Sequence, residues 1–533
     1  MSSLAANFLL LAWLAVSILL PGIAICHRWT RLRGLELIAY GAAAGVVLQA
    51  CLGLFLTVTR AARVPVVLLS GLATLAAFVY LWRAGGVRER FADLSRSARA
   101  TLAIWGLFAA TCVALTHLEV RLPPNLPDGI YIFKGPTVNV KLQYLVSLPA
   151  DNYFPYVVAE YFLRRISFRT ERPILPGNEV SNRTILMSLV ALPYRAALAM
   201  PPRAKKPLNK FTYVNQQWPA VEQLHSERSY RQLLVVGIFL NSLVLLGLLA
   251  FFRDAAADPV LLPSAALLYL TNSYMLSQTI FIWPKALAGF FLLLAWHSAR
   301  RGHHPAVVGA CAGLAYHSHP YAGLFAAGLG LFYLSQTWRD RNALRPAALF
   351  AATFLLVIAP WFLWTRLFLN LSSNMLWQNL AGAGTDAALS TPLNFIWIRL
   401  WNLFHLLTPT LFAVYPFDVR EIAERALVSL PGAVGIFLIF PAIRESMDRM
   451  TPRGLFWFGL ALPALLIALI FSYPSLLVLH GYQVIVGLLI FCGLTKLRRR
   501  LSPAGYWSLA ILQLICNLAL LGMRGFVSGV HLP

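Results

Sequence analysis

Arg231 to Phe252 reads RQLLVVGIFLNSLVLLGLLAFF: one cation at its start and no charge after it. A helix of that length spans the roughly 30 Å hydrocarbon core of a bilayer. Similar apolar runs recur on both sides of it. They are continuous rather than alternating, which favours helices over a closed barrel, the other structure that satisfies its backbone in lipid. About fourteen spans are expected by the length a bilayer demands, at residues 4–26, 35–57, 64–82, 101–117, 231–252, 259–279, 282–299, 305–318, 320–337, 346–367, 426–443, 455–472, 474–495 and 504–523. The fold class expected is an all-α polytopic membrane protein.

Composition agrees. Of 533 residues 59% are hydrophobic and 12% charged, with a mean hydropathy of +0.68, where a soluble domain carries about a quarter charged residues. The formal net charge of +24 would suggest nucleic acid in a soluble chain, but here the membrane accounts for most of it and no nucleic-acid partner is expected. Arg28, Arg31 and Arg33, then Arg83, Arg88, Arg90, Arg96 and Arg99, then Arg300 and Arg301, Arg339, Arg341 and Arg345, and Lys496 with Arg498 to Arg500 fall in short segments between spans. With the N-terminus outside, the positive-inside rule puts all of them in the cytoplasm. The first segment lacks a basic n-region and an Ala-x-Ala-like exit, so it reads as a retained span. The six cysteines, Cys26, Cys51, Cys112, Cys311, Cys492 and Cys516, lie in apolar segments without ligand-like spacing. Buried thiols are expected, with neither a disulfide framework nor a zinc site.

Two hydrophilic insertions then face outward, at 119–230 and at about 369–425. The organisation expected is a three-helix membrane extension at 1–100, a membrane core at 101–368 that includes the outer loop 118–230, a second outer loop at 369–425, and C-terminal membrane helices at 426–533. The first insertion is basic although external, which the charge rule permits because long loops translocate largely regardless of charge. Within it, Phe154, Val157, Val158, Tyr161 and Phe162 recur at helical spacing with Arg164 and Arg165 beyond them, the pattern of a helix lying in the interface. A second such helix is expected over Ile185 to Met200 after the N-cap region Ser181-Asn182. The outer segment Leu393 to Leu407, with Arg399 and His405, is expected to close the other side of a mouth into the bilayer.

No Gly-rich phosphate loop, HExxH helix or Gly-x-Ser-x-Gly elbow is present in the sequence. What stands out is Pro149-Ala150-Asp151-Asn152-Tyr153, the segment Gln278-Thr279-Ile280-Phe281-Ile282-Trp283-Pro284-Lys285, and a helix pair broken at Gly313-Leu314-Ala315-Tyr316-His317-Ser318-His319-Pro320. In these features, spread loosely over 101–495, the chain resembles the GT-C superfamily of integral-membrane glycosyltransferases. That resemblance implies a polyprenyl-phosphate-linked sugar as donor, a lipid or glycan as acceptor, and a GT-C-like fold. The layout departs from the superfamily in one respect: three spans precede the one, at 101–117, that leads into the acidic outer loop. The sugar is left open by that departure.

Moving a glycosyl group from a polyprenyl phosphate to a hydroxyl requires a carboxylate to take the acceptor's proton and cations to hold the departing phosphate. Asp151 is the candidate base, its structural alternative being an N-cap. Asp128, in Leu126-Pro127-Asp128-Gly129, is the alternate base or simply a turn residue. Lys285, Arg366, His317 and His319 are candidates for donor phosphate, with snorkelling or wet interfacial roles as alternatives. Glu160, Arg399, His405 and His480 are secondary candidates for the acceptor side, Glu160 being otherwise solvated or paired with loop arginines. Lys and Arg alone can hold phosphate, so no cofactor is required, and a divalent ion is compatible with the histidine pair. The other classes considered are a lipid-linked glycan polymerase or ligase, leaning on Arg and His rather than Asp, and a lipid-linked glycan transporter or flippase, for which internal repeats and mid-membrane charges are the expected signs. The charge layout suits a bacterial inner membrane with the site on the periplasmic or extracellular face.

Overall fold

A computed structural model describes residues 3–59, 63–117, 119–121, 141–143, 154–170, 174, 179–197, 224, 227–338, 340–373, 392–407, 436–470 and 481–527. The fold is helical, apart from a short antiparallel pair in the first insertion that matches Glu119 to Gln143 and Arg121 to Lys141. Among the described residues seven helices are long and apolar enough to cross a membrane: Leu4–Trp29, Gly34–Thr59, Val66–Arg83, Arg96–Leu115, Arg228–Phe251, Arg341–Phe368 and Arg453–Ile470. The expected segments fall largely on helix where they are described, but several of these helices are too short to span a bilayer unaided.

The helices that frame the site are α1 (Ser3–Trp29), α2 (Gly34–Thr59), α3 (Arg63–Arg83), α4 (Val87–Ala92), α5 (Arg96–Leu115), α6 (Phe154–Arg164), α7 (Leu186–Ala196), α8 (Glu227–Phe251), α9 (Leu261–Thr271), α10 (Ser273–Ile280), α11 (Lys285–Arg300), α12 (Pro305–Ser318), α13 (Ala322–Thr337) and α14 (Leu344–Leu363), the last continued by a π turn over Trp364–Phe368. Helix α8 is the hub. It is buried throughout its apolar length and packs on α1, α2, α5, α7 and α11.

The single span expected at 259–279 is two helices, α9 and α10, broken at Asn272. Helix breaks inside a bundle persist only where the freed backbone groups find partners in the protein. Here the Asn517 amide donates to the Leu268 carbonyl at 3.0 Å, and the Asn272 side chain accepts from the Met275 N–H at 3.3 Å. After α10 the chain runs through Phe281-Ile282-Trp283-Pro284 before α11 begins. All three apolar side chains of that connection are buried. The 16 residues of α11 cover only about 24 Å at 1.5 Å per residue, so this non-helical segment completes the path. Helix α8 holds it from the side. The Asn241 amide donates to the carbonyls of Gln278 and Phe281 at 3.2 and 3.3 Å, and a Cβ at Gly237 would collide with the Ile282 side chain.

The two insertion helices are covered by protein on most of their surface rather than on one apolar face alone. Nearly every residue of α6 is buried, and α7 packs on α2, α3 and α8. Gly53 of α2 makes this possible, because a Cβ there would collide with the Leu189 carbonyl. The polar face of α6 is satisfied internally: Glu160 accepts from Arg164 Nε at 2.9 Å and from Arg195 Nε and Nη2 at 2.9 and 2.7 Å. Ser181-Asn182 does not cap α7, which starts at Leu186. Instead Asn182 Oδ1 accepts from the Glu179 N–H at 2.9 Å.

The opposite end of the bundle gathers paired charges. Glu36 at the start of α2 meets Arg253, His297 at 2.7 Å and Arg301, while Asp254 accepts from Arg301 at 2.9 Å. Arg301 and Arg300 hold the Asp254 carboxyl below the usual carboxylate range, against the opposing and larger single effect of its partial burial. Start of α2, end of α8 and end of α11 therefore share one end, and the insertion returns at the other.

Replacing Gly237 with valine should force Ile282 outward and lower the stability of the purified protein by about 1–3 kcal/mol, the usual cost of overpacking. Thermal unfolding in detergent measures this; an unshifted melting temperature would mean that 281–284 is not held against α8.

Candidate functional site

The connection pinned by α8 presents Trp283 and Lys285 to the insertion end. Lys285 is fully buried, and its Nζ lies 4.0 Å from the centroid of the Trp283 ring. The Arg183 guanidinium carbon lies 5.0 Å from the same centroid. Two cations thus share one indole, an arrangement whose electrostatic attraction is strengthened by removal from water. The His319 ring is 5.3 Å from Trp283 and 5.2 Å from Tyr321. Its Nδ1 accepts from the Tyr321 N–H at 3.3 Å, which fixes the other ring nitrogen as the one able to carry a proton in the neutral form. Tyr321 donates its hydroxyl to the Lys285 carbonyl at 2.9 Å, and Thr184 donates to the Ser318 carbonyl at 2.8 Å. These bonds tie α11, the α12–α13 junction and the 179–184 turn into one unit. Burial, reinforced by Lys285 and Arg183, holds the His319 imidazole well below its usual pKa. A neutral imidazole donor beside two cations suits an oxyanion, since charge-assisted bonds from Lys and Arg to phosphate oxygens are short and strong.

A second feature lies around the end of α12. A groove of about 1450 Å³ runs between α2, the end of α6 and its following turn, α7, α12 and α14. Its walls are mostly apolar, with Leu54, Leu189, Leu314 and Trp361 among them, and Arg164, Arg165, Arg169 and His317 also line it. No Asp or Glu is among its described lining residues. The groove is larger than the roughly 300–1,000 Å³ of most small-molecule sites. Cys51 lines it and is exposed, the exception to the expected burial of the thiols; the other five cysteines are buried.

His317 and His319, both candidates for donor phosphate, do not meet at one place. They are separated by the end of α12: His317 lines the groove with its Nε2 2.7 Å from the Val357 carbonyl, whereas His319 belongs to the Trp283 cluster. At two residues' spacing helical side chains point to different faces, and α12 stays helical through Ser318. Lys285 does not snorkel to an interface but turns onto Trp283. Arg366 is exposed on the π turn. Arg399 donates to the Leu469 carbonyl at 2.9 Å and so ties the 392–407 helix to the helix ending at Ile470. Glu160 is enclosed by Arg164 and Arg195 and is not presented to either feature as a free acid. Asp128, Asp151 and His480 lie outside the described residues, as does the side chain of His405.

Arg165, Arg169 and Arg183 were visible in the sequence only as members of the insertion's basic set, Trp283 only as part of the segment leading to Lys285, and Tyr321 not at all. The placement of Lys285 two residues after Trp283 was a usable signal for a cation–π pair; for the pairing of Arg183, a hundred residues before Trp283, there was none. Among the described residues no three His, Cys, Asp or Glu side chains converge as a metal site would require. No known protein family, curated protein or solved structure matches the chain.

The depressed His319 pKa has a sign that can be tested. The unfolded chain takes up a proton near pH 6.5 that the folded site refuses, so stability is lost as pH falls below that value, at up to about 1.4 kcal/mol per pH unit for one group. His319→Asn, which keeps an acceptor for the Tyr321 N–H, should flatten the fall in melting temperature between pH 7 and 5. A slope equal to that of the parent would mean that His319 is protonated in the folded protein.

Proposed function

We propose that the chain is a GT-C-type integral-membrane glycosyltransferase of about fourteen spans, moving a sugar from a polyprenyl-phosphate donor to a lipid or glycan acceptor at the insertion end. That end is taken as the periplasmic or extracellular face of a bacterial inner membrane. The observation that carries the reading is the coexistence, at one end of the bundle, of an apolar groove lined in part by arginines and a pair of cations on Trp283, the buried Lys285 and the half-buried Arg183. A lipid-linked anionic donor needs both an apolar channel and fixed positive charge.

In the proposed reaction the anomeric carbon's bond to the phosphate oxygen breaks as its bond to the acceptor oxygen forms. The acceptor's proton passes to the Asp151 carboxylate, three residues ahead of α6, with Asp128 as the alternate base. Negative charge growing on the departing polyprenyl phosphate is met by Lys285 and Arg183, with a hydrogen bond from neutral His319. A polymerase or ligase of lipid-linked glycans is the second reading, favoured by the Arg165, Arg169 and His317 side chains at the groove.

Asp151→Asn should leave membrane insertion intact and cut sugar transfer by about 10²–10⁴-fold, the range for loss of a general base. Transfer from a polyprenyl-phosphate sugar by purified protein is the measurement, and retained activity would turn the assignment towards the ligase. Lys285→Ala should weaken donor binding by about 1.5–3 kcal/mol, the worth of a hydrogen bond to a charged group. Donor KM and direct donor binding read it, and unchanged affinity would remove Lys285 from the donor site.

A further inference from the structure

We propose that one stripe of α2, formed by Val47, Cys51, Leu54 and Val58, is the wall along which the isoprenoid tail of the donor lies, and that it sets how much of that tail the protein grips. The identity of the lipid rests on the transferase reading, and its phosphate stays with Lys285, Arg183 and His319 as assigned there.

Helix α2 belongs to the three-helix extension that precedes the GT-C-like part of the chain, so the stripe is not something the resemblance supplies. Its four residues follow one another at spacings of four, three and four, which places them on one helix face. All four line the groove. Exposure rises along the stripe: Val47 is half-buried, Leu54 is 46% exposed and Val58 72%. Helix α2 starts at the Glu36 charge cluster and reaches α7 of the insertion at Gly53, and Val47 sits midway along it. The groove is therefore closed towards the bilayer centre and open towards the insertion end, where the donor's phosphate is placed. The eleven residues from Val47 to Val58 cover about 16 Å, roughly half of the ~30 Å hydrocarbon core. A tail that turns past the end of α12 at His317 can follow the stripe through the depth of one leaflet.

The facing wall carries Trp361, Trp364 and Phe368, whereas α2 contributes no lining side chain larger than leucine, so the room for a branched chain is on the α2 side. That wall is also fixed. Gln49 points away from the stripe and is fully buried; its amide donates to the Ser17 carbonyl at 3.0 Å and its oxygen accepts from the Ser70 hydroxyl at 3.2 Å. These bonds tie α2 to α1 and α3. At Gly45 and Gly53 the carbonyls of Ile18 and Leu189 approach closer than a Cβ would permit. The described lining includes arginines and a histidine and no Asp or Glu, which suits an anionic lipid.

The test reads depth in the full-length protein in detergent. Alkylation by N-ethylmaleimide is followed at the exposed Cys51 and, in a Cys51→Ser background, in Val58→Cys and Val47→Cys proteins, while polyprenyl phosphates of increasing tail length are titrated. The other five cysteines are buried. Short tails should protect the Val58→Cys thiol alone, longer tails Cys51 as well, and the Val47→Cys thiol should respond last. Adding Cys51→Phe to the Val58→Cys protein should raise the half-protecting concentration of a long tail about tenfold, as overpacking does, and leave that of a short tail unchanged. Protection of all three positions at one tail length, no protection of Cys51 by the longest tail, or equal protection by dioleoyl phosphatidylcholine would overturn the proposal. No sugar is transferred in this assay. Graded protection in a protein that transfers no sugar removes only the transferase reading, whereas transfer from long-tailed donors without protection of Cys51 removes only the stripe.

Discussion

A backbone that leaves the helix inside an apolar bundle must find its hydrogen-bond partners in protein, and in this chain that constraint falls on residues 278–284. Asn241 answers it with one side-chain amide shared between two carbonyls, and Gly237 leaves the space for Ile282 to close against α8. Everything at the cation cluster follows from that grip. Trp283 is held at the insertion end, Lys285 begins α11 after the intervening Pro284, and the Tyr321 hydroxyl bonds the Lys285 carbonyl from the neighbouring junction. Helix α8 is buried along its whole apolar length, so the part that anchors the site is also the part least able to move.

Both ends of the bundle hold paired charge. At one end carboxylates and arginines neutralise one another around the buried Glu36 and Glu445 and the exposed Asp254. At the other, Glu160 is sealed between Arg164 and Arg195 without water access. A buried ionic group is weak evidence for net stability, yet breaking one by removing a partner costs about 3–5 kcal/mol. Its effect here is geometric: Arg164 closes α6, Arg195 belongs to α7, and their common acid fixes the angle at which the arginine-bearing turn meets the groove.

The positions of the helices were legible because bilayer thickness dictates the length of an apolar run. What was lost lay in the partners. The run 259–279 carries no glycine, and its two prolines, Pro259 and Pro263, lie just before α9 and in its first turn, so nothing local announces a break at Asn272. The donor that stabilises it, Asn517, sits near the other end of the chain. The α6 pattern looked amphipathic because periodicity sees one helix at a time and cannot see that Arg195 would cover Glu160. The separation of His317 and His319 was legible from their spacing alone. The folding of Lys285 back onto Trp283 was not, since snorkelling and cation–π pairing begin from the same sequence. The left-handed Arg165, with φ of 58°, gives no sequence signal at all, because the residue expected at a helix end of that kind is glycine.

The groove itself is a consequence of unequal helix lengths. Helix α12 has 14 residues, about 21 Å, while the apolar helix from Arg341 to Phe368 has 28, about 42 Å, and α2 has 26, about 39 Å. Where α12 stops, its neighbours continue, and the space between them is covered on one side by α7 and capped by the turn after α6. The extra length of the long helix ends in a π turn, a distortion that recurs at functional sites, and this one sets Trp364 against Phe162 and Phe168. Lengthening α12 by a turn would fill the groove with side chains and improve packing. The chain instead stops that helix with His319-Pro320, places a neutral imidazole on one side of the stop and a lipid-sized space on the other, and sets in its lining an arginine whose backbone conformation costs about 1–2 kcal/mol. Stability alone would have chosen otherwise at each of these points, and their concentration at a single end of the bundle is what supports placing the proposed function there.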